Sequence, residues 1–158
     1  KDIGYTPILI DNFANGYAFQ DGNIISNNLT DENGNSIEKF KSVSFDYEKD
    51  GDIVIFAQDK YNSQAELQGS VAKTVGDTDI YYYSYTNKVV PADYELTDAD
   101  KAAKANGDLV FSYGSAEVEL NEIQSATFVK DGMQYQLLQI NGKLSGDKLV
   151  KMAEELVA

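Results

Sequence analysis

The sequence VELNEIQSATFVK at residues 118–130, followed by Asp131-Gly132 and MQYQLLQI at residues 133–140, decides the fold class. An Asp-Gly pair between two strand-like runs predicts a β-hairpin, because a type I′ turn needs positive φ at both central positions. Residues 144–156 (LSGDKLVKMAEEL) then predict a helix. Together these segments predict a sheet with a C-terminal helix on one face.

The C-terminal helix has a defined start and a single apolar face. Ser145 is the predicted N-cap, and Leu144 and Leu149 flank the first turn as a hydrophobic staple. The stripe at helical spacing consists of Leu149, Met152, Ala153 and Leu156. We expect this stripe to pack against the sheet.

Two more hairpins are predicted upstream. Asp50-Gly51 separates the alternating run at residues 43–48 from the apolar run at residues 53–57. Gly76-Asp77 separates residues 67–75 from residues 80–90.

Two further strands are predicted outside these hairpins. Residues 109–113 predict a short strand, and residues 17–28 predict a strand that Asp21-Gly22 is expected to break.

A short helix is predicted between the second and third hairpins. Thr97 is its N-cap, acidic residues follow in the first turn, and Asn106-Gly107 ends it. The whole chain, residues 1–158, therefore predicts one α+β domain. We expect a curved antiparallel sheet of about seven to nine strands, the C-terminal helix on one face, and a short surface helix near residues 98–106.

Composition excludes several kinds of chemistry. The chain has no Cys, His, Trp or Arg. Disulfides, thiol nucleophiles, histidine-dependent triads and bidentate guanidinium clamps are therefore excluded. Asp31, Asn33 and Asn35 match the start of a calcium loop, but Ser36 and Ser42 stand where Gly and Glu are needed. We expect a solvated turn there, with no metal and no cofactor.

The charge balance restricts the partners. The chain contains thirteen lysines and twenty-six acidic residues, which gives a net charge of −13. Nucleic acid and anionic membrane surfaces would be repelled. The longest apolar run, residues 53–57, is far below the ~18–20 residues of a membrane span. We expect a monomer that binds an unknown small molecule, glycan or peptide.

A row of tyrosines is the most unusual local feature. Tyr81, Tyr83 and Tyr85 alternate along a predicted strand and so share one face. Such a row can act as a stacking platform for sugars or peptides, because tyrosine offers a flat apolar ring with a polar tip. The alternative is a strand whose rings simply cover their neighbours.

The C-terminal half resembles a known kind of domain. Residues 90–97 (VPADYELT), residues 111–115 (FSYGS), the Asp131-Gly132 hairpin with Tyr135, and the last helix carry the resemblance, with a weaker echo at residues 12–17. They resemble an extracytoplasmic domain of unknown function in anti-sigma-factor-like membrane proteins of Gram-positive anaerobes. Phe128 stands where similar domains often have Trp.

The resemblance implies a location and a type of architecture. Such domains are expected outside the cell, behind a single membrane span and a cytoplasmic regulatory segment. We therefore expect an extracytoplasmic, cell-surface or secreted domain with a membrane anchor upstream; a free secreted or lipid-anchored relative is the alternative. By analogy, the sheet is expected to be similar to the half-barrels of periplasmic lipoprotein carriers and sigma-factor regulators.

The sequence thus predicts a non-catalytic extracytoplasmic binding or sensing domain, and the resemblance implies that it is the outer part of a membrane-anchored regulator. Its predicted site residues are Tyr81, Tyr83, Tyr85, Asp93, Tyr94 and Tyr113. The alternative is a small secreted hydrolase that uses carboxylates or a Ser-Lys pair, for which Ser112 and Ser115 are the candidate nucleophiles.

Overall fold

The computed structural model describes residues 6–61, 67 and 69–157; for residues 25, 27–29 and 37–40 it describes the backbone alone. The strands are Ala18–Thr30 (β1), Ser36–Lys49 (β2), Asp52–Lys60 (β3), Ser70–Val75 (β4), Thr78–Val90 (β5), Leu109–Tyr113 (β6), Glu119–Lys130 (β7) and Met133–Ile140 (β8). The helices are Asp98–Asn106 (α1) and Gly146–Val157 (α2). This arrangement confirms the α+β prediction.

The strands form one open sheet in the order β1-β2-β3-β8-β7-β5-β4, and β6 pairs with β5. The β5–β6 pair is parallel, whereas the other pairs between the strands described are antiparallel. Four pairs are hairpins between sequence neighbours, namely β1–β2, β2–β3, β4–β5 and β7–β8, whereas the β3–β8 pair joins distant parts of the chain. This long-range pair connects the two halves of the sheet.

The predicted turns have the backbone geometry that their residues favour. Asp50, Gly51, Asp131 and Gly132 all have positive φ, which the type I′ hairpin requires. In the turn between β4 and β5, Gly76 has a positive φ and Asp77 does not, which is the pattern of a type II′ turn. Residue 68 of the predicted second hairpin lies outside the described residues, and β4 begins at Ser70.

The predicted break at Asp21-Gly22 is wrong. β1 continues through both residues to Thr30, and its pairing with β2 shifts register between Phe19 and Asp21. A bulge at Gln20 therefore absorbs one residue without ending the strand. Gly22 has a packing role here, since a Cβ at this position would lie 2.9 Å from the Phe45 ring.

Helix α2 covers one side of the sheet, which we call the inner face. This face carries the buried side chains of Val54, Phe56, Ile80, Phe128 and Leu137. The stripe of α2 is buried against them, as its period predicts, and consists of Leu149, Met152, Ala153 and Leu156, joined by Val157. Phe13 and Tyr17 of the N-terminal segment belong to the same core cluster.

Helix α1 begins and ends as predicted, and one of its acids is buried. Thr97 and Asp100 form a reciprocal capping box, and Gly107 ends the helix in a left-handed conformation. The Asp100 carboxylate binds Lys88 of β5 at 2.9 Å. This ion pair attaches an otherwise exposed helix to the inner face near β6.

Candidate functional site

A cavity of about 770 Å³ lies between residues 14–17, the β2–β3 turn and α2. We call it the α2 pocket. Its apolar walls come from Ala14, Tyr17, Leu144 and Met152. Eight charged residues also line it: Lys49, Lys143, Lys148, Lys151, Asp50, Asp52, Glu154 and Glu155. The size is typical of a small-molecule site, and the lining combines apolar walls with charged groups of both signs.

Asp52 organises one wall of the α2 pocket. Its Oδ2 atom accepts a hydrogen bond from the Tyr17 hydroxyl. The same oxygen accepts from Nε2 of Gln139 at 2.7 Å and from the backbone N–H of Lys143 at 3.2 Å. One carboxylate therefore ties the N-terminal segment and the loop before α2 to the sheet.

The environment of Tyr17 keeps its hydroxyl protonated. Burial raises the pKa of Tyr17 to about 12, and the hydrogen bond to the Asp52 carboxylate acts in the same direction. A negative phenolate beside this carboxylate would be unfavourable. Tyr17 therefore acts as a hydrogen-bond donor at neutral pH rather than as a base.

The polar contacts continue across the inner face to a second cavity. Oε1 of Gln139 accepts from Nε2 of Gln124 at 3.0 Å, and Oε1 of Gln124 accepts from the Tyr82 hydroxyl at 2.7 Å. Gly142 is required for this packing, because a Cβ there would lie 1.8 Å from Cδ of Gln139. The second cavity, of about 430 Å³, has Tyr82, Gln124, Gln139 and Gly142 in its lining.

The lysines of the α2 pocket differ from the nearby acids in how they are paired. Glu154 pairs with Lys73 of β4 at 3.6 Å, and Oε1 of Glu155 accepts from the Ala14 backbone N–H at 2.9 Å. In the described part of the chain, no carboxylate lies within ion-pair distance of Lys143, Lys148 or Lys151. These three ammonium groups remain available to an anion.

The predicted tyrosine row lies on the side of the sheet opposite α2, which we call the outer face. The rings of Tyr83 and Tyr85 pack with their centroids 5.2 Å apart. The Tyr83 hydroxyl donates to the backbone oxygen of Gly107 at 3.0 Å. Tyr81 shares their strand face and pairs with Thr127 of β7. Tyr83 therefore already has a structural contact with the end of α1.

Two other predicted residues lie apart from the tyrosine row. Tyr94 belongs to a cluster with Lys88 and Asp100, in which its hydroxyl donates to Oδ2 of Asp100 at 2.6 Å. Lys88 is on the opposite face of β5 from Tyr83 and Tyr85. The hydrogen bond from Tyr94, followed by that from Lys88, holds the pKa of Asp100 well below its usual range. This cluster anchors α1.

The last two predicted residues do not complete a common site. Tyr113 is 54% exposed and pairs with Val90 at the end of β6, and Asp93 is exposed in the loop before α1. By its pairing, Tyr113 lies on the inner face. The structure thus places Tyr81, Tyr83 and Tyr85 on the outer face, Tyr94 and Tyr113 on the inner side, and Asp93 in an exposed loop.

The hydrolase candidates have ordinary structural contacts. Ser112 Oγ accepts from Nδ2 of Asn87 at 3.1 Å, and the Ser115 hydroxyl donates to the backbone oxygen of Glu117.

In the calcium-like loop, the Asp31 carboxylate accepts from the backbone N–H groups of Asn33 and Asn35, both at 2.9 Å. Among the residues that the structure describes, no group of three acidic side chains is placed to hold a metal ion.

Sequence reasoning missed the residues of the α2 pocket. Tyr17 and Asp52 are 35 positions apart, and Asp52 and Gln139 are 87 apart, so no local motif joins them. The sequence held one signal that could have pointed to this pocket. Lys148 and Lys151 are three residues apart and therefore share one side of α2. That signal predicts a polar helix side but does not show which other elements face it.

Comparison with known proteins yields no relative. No family model matches this chain, and no curated protein or solved structure is significantly similar to it. Across the described residues, neither helix has the length and apolar character needed to span a membrane.

Proposed function

We propose that this chain is a non-catalytic, extracytoplasmic binding or sensing domain whose ligand occupies the α2 pocket. The ligand class that fits best is a small molecule with an apolar body and at least one anionic group. The observation that carries this proposal is a set of three lysines beside the apolar walls of the cavity, for which the described part of the chain offers no carboxylate within ion-pair distance.

The pairing of the charges favours an anionic ligand. The four lysines and four acids that line the cavity balance one another in number, in a chain whose net charge is −13. Asp52 and Glu155 accept hydrogen bonds and Glu154 pairs with Lys73, whereas Lys143, Lys148 and Lys151 have no carboxylate within ion-pair distance in the described part of the chain. These three lysines are therefore the charges left to attract an anion at close range.

The walls favour a ligand that also has apolar atoms. Met152 is buried in the middle of α2, and Leu144 is partly buried against the core. The Tyr17 ring completes this side of the cavity, held by its bond to Asp52. Such a wall removes apolar ligand surface from water at roughly 25 cal/mol per Å².

Residues 90–97, 111–115 and 144–156 resemble the extracytoplasmic domain of anti-sigma-factor-like membrane proteins. This resemblance supports both an extracytoplasmic location and a role as the outer part of a membrane-anchored regulator. In such a regulator, ligand binding would have to change the conformation or contacts of the domain in order to be sensed. The α2 pocket offers a route, since a ligand there would contact both the N-terminal segment and α2.

Dye binding tests the proposal. The anionic dye 1-anilinonaphthalene-8-sulfonate should bind the folded protein more tightly than neutral N-phenyl-1-naphthylamine. Replacing Lys148 and Lys151 together by Gln should weaken binding of the anionic dye about three- to tenfold, and binding of the neutral dye less. Fluorescence titration measures both affinities.

A matched control separates the pocket from net charge. Lys101 and Lys104 on α1 have the same spacing as Lys148 and Lys151, and they lie outside the cavity lining. Replacing both by Gln makes the same change in net charge and should leave dye affinity within about twofold. Equal losses in the two double variants, with both folded by circular dichroism, would refute the assignment of the pocket.

A further inference from the structure

The outer face carries a group of apolar residues on three adjacent strands, β3, β8 and β7, with Tyr85 beside it on β5. Ile55 of β3 pairs with Leu138 of β8. Ile140 of β8 pairs with Ile123 of β7, which in turn pairs with Tyr85 of β5. Ile53 lies two residues from Ile55 and therefore on the same face. We call Ile53, Ile55, Ile123, Leu138 and Ile140 the isoleucine patch.

The isoleucine patch is accessible to solvent. Ile53 is 48% exposed and Ile140 is 49% exposed, and the other three side chains are partly exposed. Both described helices make their contacts elsewhere: the apolar stripe of α2 and the Asp100 carboxylate of α1 meet the inner face. A contiguous apolar group of this kind on a soluble protein is typical of an interaction surface.

The strand lysines lie on the face opposite the isoleucine patch, and several strand acids lie on the same face as the patch. Strand alternation and pairing place every lysine whose side chain is described in the sheet on the inner face, namely Lys41, Lys49, Lys60, Lys73, Lys88 and Lys130. On the outer face, Asp46 pairs with Ile55, and Glu48 pairs with Ile53. Asp21 pairs with Asp46 and extends this acidic margin.

We propose that the isoleucine patch is a docking site for an amphipathic helix of a partner protein that carries Lys or Arg residues beside its apolar stripe. The apolar stripe would lie on the patch, and the cations would face Asp46 and Glu48. Charge complementarity identifies this occupant, since the margin of the patch is acidic and the strand lysines lie on the other side.

A helix fits the dimensions of the patch. Its apolar residues lie on β3, β8 and β7, and Tyr85 of β5 extends it, so the four strands span about 14 Å. About ten helical residues cover this length. A second copy of this chain fits less well, because its own acidic margin would approach Asp46 and Glu48 and repel them.

The test uses a synthetic probe, a fluorescein-labelled Leu/Lys amphipathic helix of about 14 residues. A Leu/Glu peptide with the same apolar stripe is the charge control. The Leu/Lys peptide should bind the wild-type chain in fluorescence anisotropy, and the Leu/Glu peptide should not. Replacing Ile53 and Ile140 together by Ser should weaken Leu/Lys binding about tenfold, because both apolar contacts are lost at constant charge.

A second pair of variants controls for non-specific apolar binding elsewhere on the protein. Val118 and Leu120, near the start of β7, are 49% and 63% exposed and lie outside the patch. Replacing both by Ser should leave the affinity unchanged within about twofold. Absence of Leu/Lys binding, or equal losses in the two double variants, would overturn the proposal. So would a wild-type dimer in sedimentation that the Ile53 and Ile140 changes convert to monomer.

Discussion

Replacing Asp52 by Ala should destabilise the protein by about 3 kcal/mol. The carboxylate accepts three hydrogen bonds, from Tyr17, Gln139 and the Lys143 backbone. A hydrogen bond to a charged group contributes about 1.5–3 kcal/mol, but bonds that share one acceptor are not additive. The Gln139 side chain is 1% exposed, so its amide N–H would lose a partner that water cannot easily replace.

Urea unfolding followed by circular dichroism measures this change, and calorimetry gives a second estimate. For a chain of 158 residues, about 3 kcal/mol corresponds to a fall in Tm of about 6–12 °C. A double-mutant cycle with Tyr17→Phe should show a coupling of at least about 1 kcal/mol, because each single change removes the same bond.

The Tyr17 pKa provides an independent check on this contact. A tyrosine whose pKa is raised in the folded state stabilises the fold below about pH 10 and loses this contribution as the pH rises toward 12. In an ultraviolet titration, Tyr17→Phe should remove a tyrosine that ionises near pH 12. A loss below about 1 kcal/mol for Asp52→Ala, together with additive effects in the cycle, would show that Asp52 is not the connecting residue.

Two further predictions concern the helices. Leu149 is fully buried on α2, so Leu149→Ala should cost about 2–5 kcal/mol in urea unfolding, whereas exposed Lys151→Ala should cost less than about 0.5 kcal/mol. Similar small effects of both changes would contradict the packing of α2 on the sheet. The lowered pKa of Asp100 stabilises the fold above its unfolded value of about 3.9, and this contribution is lost as the pH falls through the folded value. Asp100→Asn should therefore make the free energy of unfolding depend less on pH below about pH 4. If this pH dependence were unchanged, the cluster of Asp100 with Lys88 and Tyr94 would not be its cause.

The elements that the sequence predicted well depend on contacts between near neighbours. The Asp131-Gly132 turn follows from the φ values that these two residues tolerate. The Thr97 capping box involves residues three positions apart. The stripe of α2 follows from a period of 3.6, which pattern alone reveals. The wrong break at Asp21-Gly22 has the same origin, since local turn propensity was overridden by pairing with β2.

The candidate site was far less predictable. The tyrosine row was correctly placed on one strand face, but Tyr94 and Tyr113 lie on the other side of the sheet from it. The α2 pocket depends on Tyr17, Asp52 and Lys143, which meet only because their elements pack together. Its binding role, like that of the isoleucine patch, stays a prediction until the dye and peptide measurements are made.

The hairpin turns, the limits of both helices and the buried stripe of α2 follow from the amino-acid sequence, because each depends on φ preferences or on a short period. The three-dimensional packing was needed to show that β3 lies beside β8, that β6 runs parallel to β5, and that the strand lysines and the isoleucine patch occupy opposite faces. The pairing of distant strands depends on the free energy gained when the whole inner face is buried. Because many residues from all strands contribute to this free energy, no single segment of the sequence reveals it.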